Sequence, residues 1–339
     1  MITLIVLAVL AAAAVFLYHR GARFEWSEFA DAIVRVDAAW LTAAAVLGLG
    51  TYIGRVLRWQ VMLSPLRRDS SFWGIFSATA IGFTAVILFG RPGEVVRPYL
   101  ISVKEKVPFS SQMAAWLLER IYDLLVVLVI FGFAVAQFKG RGSVLSPALQ
   151  WVFATGGTVV VAAGVACLAI LLFARNFSHQ MTERLLAAAS FLPASYRKKL
   201  DSFLRSFVQG MDSTRSNAAV ALMILYTVLE WIVIVACYYC MCRGFDATRH
   251  FTVLDTFMVL GFIAFGSLVQ IPGIGGGPQV VGIVVLTELY GIEIEPATAV
   301  SLIFWIISWF TIVPFGLVLA AREGLNWKKL KHLKEAGEV

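Results

Sequence analysis

Gly90-Arg91-Pro92-Gly93-Glu94-Val95-Val96-Arg97-Pro98 is the stretch on which the fold turns. It follows the apolar run Phe72–Gly90 directly, and Pro92-Gly93 stops any helix that enters it. An apolar half-segment, Val95–Val103, then resumes. Further on, Glu119, Arg120 and Asp123 open a second apolar run that continues to Phe138. A charge near the centre of a bilayer costs at least ~2.5–3.5 kcal/mol, so charges of both signs in such runs suggest a polar pathway or a headgroup site.

The rest of the chain supports a membrane setting. Hydrophobic residues make up 60% of 339 and charged residues 14%, with a mean hydropathy of +0.82. Several runs exceed the ~20 apolar residues that cross a ~30 Å hydrocarbon core. They are continuous, whereas outer-membrane barrel strands are short and alternating, so the chain is helical. Little sequence lies outside these runs, and one polytopic domain over residues 1–339 is expected. Met1–Tyr18 lacks a basic leader region and reads as a first spanning helix, not a cleaved signal peptide. The net charge of +7 sits largely in loops and tail, which suits an anionic membrane surface better than nucleic acid.

Two large basic regions orient the chain. The linker from Arg175 to Arg215 carries Arg175, Arg184, Arg197, Lys198, Lys199, Arg205 and Arg215. The tail, residues 322–339, carries Arg322, Lys328, Lys329, Lys331 and Lys334. Arg67-Arg68 marks a shorter basic turn. The positive-inside rule puts all three, with both termini, on the cytoplasmic side of an inner membrane. Arg20, Arg23 and Arg35 in the outer loop cut against this orientation, but the larger segments outweigh them.

Parity then constrains the crossings. Phe72–Gly90, Ala114–Phe138 and Trp151–Ala174 lie between Arg68 and Arg175, and an odd number of full crossings cannot return the chain to one side. Phe72–Val103 therefore enters and leaves by one face. Downstream, Val253–Leu289 reads as a hairpin dipping from the opposite face, with its tip at Ile271–Gln279. Two short full crossings would preserve parity equally well. The expectation is an all-α polytopic membrane protein with about six full transmembrane helices plus two oppositely oriented re-entrant helical hairpins, an inverted-repeat-like plan with a midplane site. The 176–215 linker shows apolar residues at helical spacing among basic ones. It reads as amphipathic helices on the inner leaflet or as a cap packed on the bundle.

Arg91 and Arg97 offer paired planar donors that suit phosphate, and the half-helix after Pro92-Gly93 would aim free amides at an anion. Glu94 would steer the two arginines or accept a proton or an amine. The bland alternative is that these groups only staple the hairpin. Glu119 and Asp123, four residues apart, share a helix face, with Arg120 beside them. They either pair with Arg91 or Arg97 or simply cap a helix start. Arg55 and Arg58 beside Trp59 suggest interfacial snorkelling, with a share in attracting headgroups as the alternative. Glu230, in the middle of Ala218–Cys242, is either a lone protonated carboxyl or part of the polar path. Asp255 and Glu288 sit nearer hairpin ends and are less telling.

Gly273–Gly277 lacks the Lys-Ser/Thr of a nucleotide loop; close packing of backbone against backbone, with carbonyls and amides bared to a cavity, accounts for it better, and Gly275 and Gln279 are substrate-site candidates there. Cys167, Cys237, Cys240 and Cys242 fall in apolar runs, where packed or lipid-facing cysteines are usual. The histidines are scattered. No metal, no cofactor and no catalytic triad is expected, and the chain does not read as an enzyme.

At these residues the chain resembles the transmembrane (flippase) region of lysylphosphatidylglycerol synthases, the multiple peptide resistance factor family and its standalone relatives. Gly90-Arg91-Pro92-Gly93-Glu94-Val95-Val96-Arg97 is similar to that family's Arg-x-Gly-Glu-x-x-Arg element. Glu119-Arg120-Ile121-Tyr122-Asp123 is similar to its Glu-Arg-x-x-Asp. Leu57-Arg58-Trp59 and Pro272-Gly273-Ile274-Gly275 echo two further elements, in family order. Gln279 stands near where the family's pattern has a Glu. The resemblance implies movement of a lipid between leaflets, classically an aminoacylated phosphatidylglycerol. The fused members' aminoacyl-transferase domain does not follow before Val339, so this chain is not expected to make such a lipid itself. Its expected partner is a membrane phospholipid or a polyprenyl-phosphate lipid, and self-association or a separate lipid synthase would fit the same role.

Overall fold

The computed structural model describes residues 24–139, 161–173, 193–267, 270–271 and 275–324, with isolated positions at 175, 183 and 186. The expected Met1–Tyr18 span, the first half of the linker and most of the basic tail lie outside the described residues. Helices run as α1 (Trp26–Val34), α2 (Ala38–Leu63), α3 (Phe72–Phe89), a 3-10 turn (Arg91–Val95), α4 (Val96–Glu105) and α5 (Phe109–Lys139). They continue as α6 (Val161–Phe173), α7 (Ala194–Met211), α8 (Asn217–Arg243), α9 (Val253–Gly266), α10 (Gly277–Glu288) and α11 (Ile294–Arg322). The chain is thus an all-α polytopic membrane protein. Among the described residues, α2, α3, α8 and α11 are long and apolar enough to cross a membrane.

The chain divides into two compact units. Unit I comprises Met1–Gly48, Leu125–Val165 and Trp231–Ser308; unit II comprises Leu49–Leu124, Ala166–Glu230 and Trp309–Val339. Each holds one of the expected hairpins.

In unit II the hairpin is α3, the 3-10 turn and α4. Ser71 caps α3 by accepting from the Gly74 amide at 3.1 Å, and Gly90, at φ +70°, ends the helix where a side chain would be strained. Both open ends of the hairpin meet at one place. Arg67 reaches the Glu105 carboxylate at 3.1 Å and its carbonyl at 2.6 Å, and the Ser71 amide donates to the Glu105 carboxylate at 3.2 Å. The chain therefore leaves where it entered. The arms are unequal. With 18 residues α3 spans about 27 Å, and with 10 residues α4 spans about 15 Å.

Close backbone contact holds the arms together. A side-chain carbon on Gly93 would fall 2.4 Å from the Ala85 carbonyl, and one on Gly82 would fall 2.5 Å from Arg97 Cβ. Around them packs a core of Val56, Trp59, Ile75, Leu100, Ile101 and Leu118 with their neighbours. The C-terminal half of α7 joins that core through Phe207, Val208 and Met211. Gly210 abuts the Ser111 backbone so closely that a side-chain carbon would sit 2.3 Å from its carbonyl. This part of the linker is packed on its unit.

In unit I, α9 and α10 form the second hairpin, joined by an antiparallel ladder pairing Gln270 with Gly276 and Ile271 with Gly275. Gly276, at φ +92°, adopts a backbone that favours glycine. The open ends meet where Tyr290 Oη donates to Asp255 Oδ1 at 3.3 Å. Thr252 and Asp255 cap α9 reciprocally: the Thr252 amide donates to Asp255 Oδ2 at 2.9 Å and the Asp255 amide to Thr252 Oγ1 at 3.3 Å. Of 14 and 12 residues, these arms span about 21 and 18 Å, short of a ~30 Å hydrocarbon core. The cysteines behave as packing residues. Cys237 donates to the Ala44 carbonyl at 3.1 Å, and Cys240 and Cys242 lie in the apolar core with Phe251, Val259 and Phe304.

The return of the α3–α4 hairpin is open to a labelling test. In a cysteine-free background, Asp69→Cys and Lys106→Cys, both at exposed positions, should react with a membrane-impermeant thiol reagent from the same face of the membrane. Labelling from opposite faces would show that the segment crosses.

Candidate functional site

The site lies within unit II, and α2, α3, α4, α5 and α8 each supply part of it. Arg58 is its centre. Wholly buried, it donates to Glu119 Oε1 at 2.7 Å, Asp123 Oδ1 at 2.6 Å and Thr227 Oγ1 at 3.1 Å. Its Nη2 also lies 3.4 Å from Glu230 Oε2. Arg58 is therefore not a snorkelling residue. It lies five residues inside the end of α2, about 8 Å along the axis, and turns inward to the carboxylates.

Arg97 comes from the start of α4. Its Nη1 grips both oxygens of Glu119, at 3.0 and 2.8 Å, and its Nε donates to Thr79 Oγ1 at 3.1 Å. The guanidinium carbon stacks 4.1 Å from the Trp59 ring centroid, which is fixed in turn by a 2.9 Å bond from Trp59 Nε1 to Gln112. This geometry explains Gly82, since any side chain there would strike Arg97. Glu119 thus lies between two guanidinium groups and takes a third contact, from Arg120 Nη2 at 3.2 Å. Arg120 also pairs with Asp123 at 3.3 Å. Glu230 is buried and paired with Arg55 at 3.0 Å, so it joins the charge cluster and is not a lone carboxyl.

Two further expectations change. Glu119 does not cap a helix start, because α5 begins at Phe109 and Glu119 lies about three turns inside it. Arg91 and Arg97 do not share Glu94: Arg91 pairs with Glu94 at 2.9 Å with its side chain 54% exposed, while Arg97 belongs to the buried cluster. Nor are the amides entering α4 all free. The 3-10 turn engages Gly93 with the Gly90 carbonyl and Val96 with the Gly93 carbonyl. Gly275 and Gln279 belong to unit I, where Gly275 pairs in the ladder and Gln279 is buried in the first turn of α10.

Arg91 and Glu94 line a cleft of about 250 Å³ with Val95, Met113 and Trp116. Met113, Trp116 and Arg120 follow one another at helical spacing on α5. One face of α5 thus leads from the amphiphilic cleft to the Arg120 edge of the buried cluster. Sequence reading had not assigned roles to Thr79, Gln112 and Thr227. Each is a single polar residue in or beside an apolar run, which is a faint signal because such residues often bond their own helix backbone.

The profile of the family described as Lysylphosphatidylglycerol synthase TM region matches residues 3–316. Among curated proteins, Glycosyltransferase AglD of Haloferax volcanii is 26% identical over 233 residues, which are 63% of this chain and 36% of AglD. The chain thus spans about a third of the length of that relative. No solved structure matches.

Proposed function

Since the chain belongs to the family of the lysylphosphatidylglycerol synthase transmembrane region, we propose that it carries a phosphate-bearing lipid between the leaflets of the inner membrane. The observation that carries this reading is the guanidinium–carboxylate cluster around Arg58, set inside long apolar helices and joined by one face of α5 to a cleft. In hydrocarbon such a cluster is costly, and it is retained where a polar group must pass or bind.

The roles follow from the contacts. The headgroup enters at the cleft, where the exposed Arg91 offers its guanidinium and Trp116, Met113 and Val95 take the glycerol or acyl end. Arg97 binds Glu119 in the same two-oxygen manner that would suit phosphate, so Glu119 acts as the internal anion that phosphate replaces. Arg58, Asp123 and Glu230 keep the charges matched during that exchange. The acyl or isoprenoid tail stays in lipid throughout. Binding and movement, not bond making, is the work of this site. The basic turn at Arg67-Arg68 and the linker share unit II with the Arg-Pro-Gly hairpin. By the positive-inside rule its mouth opens on the cytoplasmic side.

The AglD match favours a second reading, in which the lipid is a polyprenyl phosphate or a glycolipid that serves a separate transferase or synthase partner. Both readings use the same residues. Arg97→Lys keeps the charge but loses the Nε donation to Thr79 and the planar group stacked on Trp59. In reconstituted vesicles it should reduce headgroup translocation of a fluorescent phospholipid at least about tenfold, the cost of one charge-assisted hydrogen bond, with the thermal unfolding midpoint little changed. Full-rate translocation by Arg97→Lys would remove Arg97 from the transport path.

A further inference from the structure

We infer that the lipid taken by this site bears a net negative phosphate headgroup with no compensating amine, such as an acidic phospholipid or a polyprenyl phosphate, and not an aminoacylated one. The inference rests on the lipid-carrier reading above and narrows its substrate.

Charge balance is the first argument. Among the described residues the buried cluster brings together four guanidinium groups, Arg55, Arg58, Arg97 and Arg120, and three carboxylates, Glu119, Asp123 and Glu230. It holds an excess of one positive charge, and the Arg91–Glu94 pair at the cleft leaves that balance unchanged. In a low-dielectric setting an unmatched charge is expensive, and an arriving anion offsets it. An arriving ammonium would double it.

Accessibility points the same way. Every carboxylate of the cluster lies in an ion pair, although both Glu230 oxygens are buried without a hydrogen-bond partner among the described residues. Glu119 is held by Arg58, Arg97 and Arg120, Asp123 by Arg58 and Arg120, and Glu230 by Arg55 and Arg58. Glu94 is held by Arg91. A primary amine would have to reach carboxylates whose side chains are 0% (Glu119), 13% (Asp123) and 1% (Glu230) exposed. Arg55 and Arg120 are in contrast the accessible cations of the cluster, with side chains 15% and 39% exposed, against 0% and 5% for Arg58 and Arg97. The excess charge thus sits at the rim, where Arg120 follows Trp116 on the cleft-lining face of α5. A phosphate reaching that rim meets the most exposed cation of the cluster, Arg120.

The test uses the full chain in nanodiscs of a zwitterionic lipid doped with equal amounts of phosphatidylglycerol and its lysyl ester, with retained lipid read by native mass spectrometry. Phosphatidylglycerol should be retained about tenfold over the lysyl ester, roughly the effect of one favourable charge contact. Arg120→Gln, which cancels the excess charge, should lose most of that preference, and Arg120→Lys should keep it. Glycerol phosphate added to the aqueous phase should not displace the lipid. Equal or greater retention of the lysyl ester would overturn the inference while leaving the carrier reading intact. An unaltered preference in Arg120→Gln would overturn it as well. Retention of neither lipid above the bulk, or displacement by glycerol phosphate, would overturn both readings.

Discussion

Glu119→Leu should destabilise unit II by about 3–5 kcal/mol, the usual cost of removing one member of a buried charge set. Glu119 is fully buried and touches three guanidinium groups; without it Arg58 and Arg97 would face one another with only Asp123 and Glu230 as counter-charges. All four cysteines are buried, so thermal unfolding can be followed by a dye that fluoresces on thiol exposure. The double variant Arg97→Met, Glu119→Leu removes a matched pair and should recover most of the lost stability, because well-packed apolar replacements for buried ion pairs are often tolerated. It should not recover lipid translocation. Restored stability together with restored transport would make the pair a staple only. An unfolding midpoint unchanged in Glu119→Leu would show that the cluster does not depend on Glu119 at all.

Gly93→Ala should have the second largest effect, and for a steric reason. The new methyl would lie 2.4 Å from the backbone carbon and oxygen of Ala85, which cannot rotate away as a side chain could. Overpacking of this kind costs about 1–3 kcal/mol. The hairpin can relieve it only by moving the 3-10 turn off α3, and that turn feeds directly into Arg97. Transport should therefore fall further than stability, through loss of the contact of Arg97 Nη1 with both Glu119 oxygens. Gly164→Ala in α6 is the matched control, since nothing lies within 4 Å of the added carbon. It should be neutral or stabilise by about 0.5–1 kcal/mol through helix propensity. Equal damage from both substitutions would remove the steric account of Gly93.

Much of the fold was legible in the sequence because membrane helices are written as uninterrupted apolar runs. Ala218–Cys242 became α8 and Pro296–Ala321 became α11 with ends shifted by one or two residues. The hairpins were legible through Pro92-Gly93 and the glycines after Ile271, together with the parity of basic segments. The start of α5 was not. Ser110, Ser111 and Gln112 interrupt apolarity ahead of Ala114, yet they fold into the helix because they face polar partners: Gln112 accepts from Trp59 Nε1 and its amide donates to Ser111. That shift of about one turn moved Glu119 from a helix cap to a helix interior.

The sequence by itself determined the setting: a helical chain in lipid, with two returning segments and a small set of intramembrane charges near them. Hydrocarbon imposes those features locally, since each run must satisfy its own backbone and each charge there must have a reason. Only the tertiary structure decided which charges meet. Arg58, which looked like an interfacial residue, became the centre because α2 turns that face toward α5 and α8. Arg97 parted from Arg91 because the 3-10 turn rotates one into the bundle and leaves the other at the cleft. Ion pairing depends on distances of about 3 Å between helices remote in sequence, and spacing along one chain does not encode them.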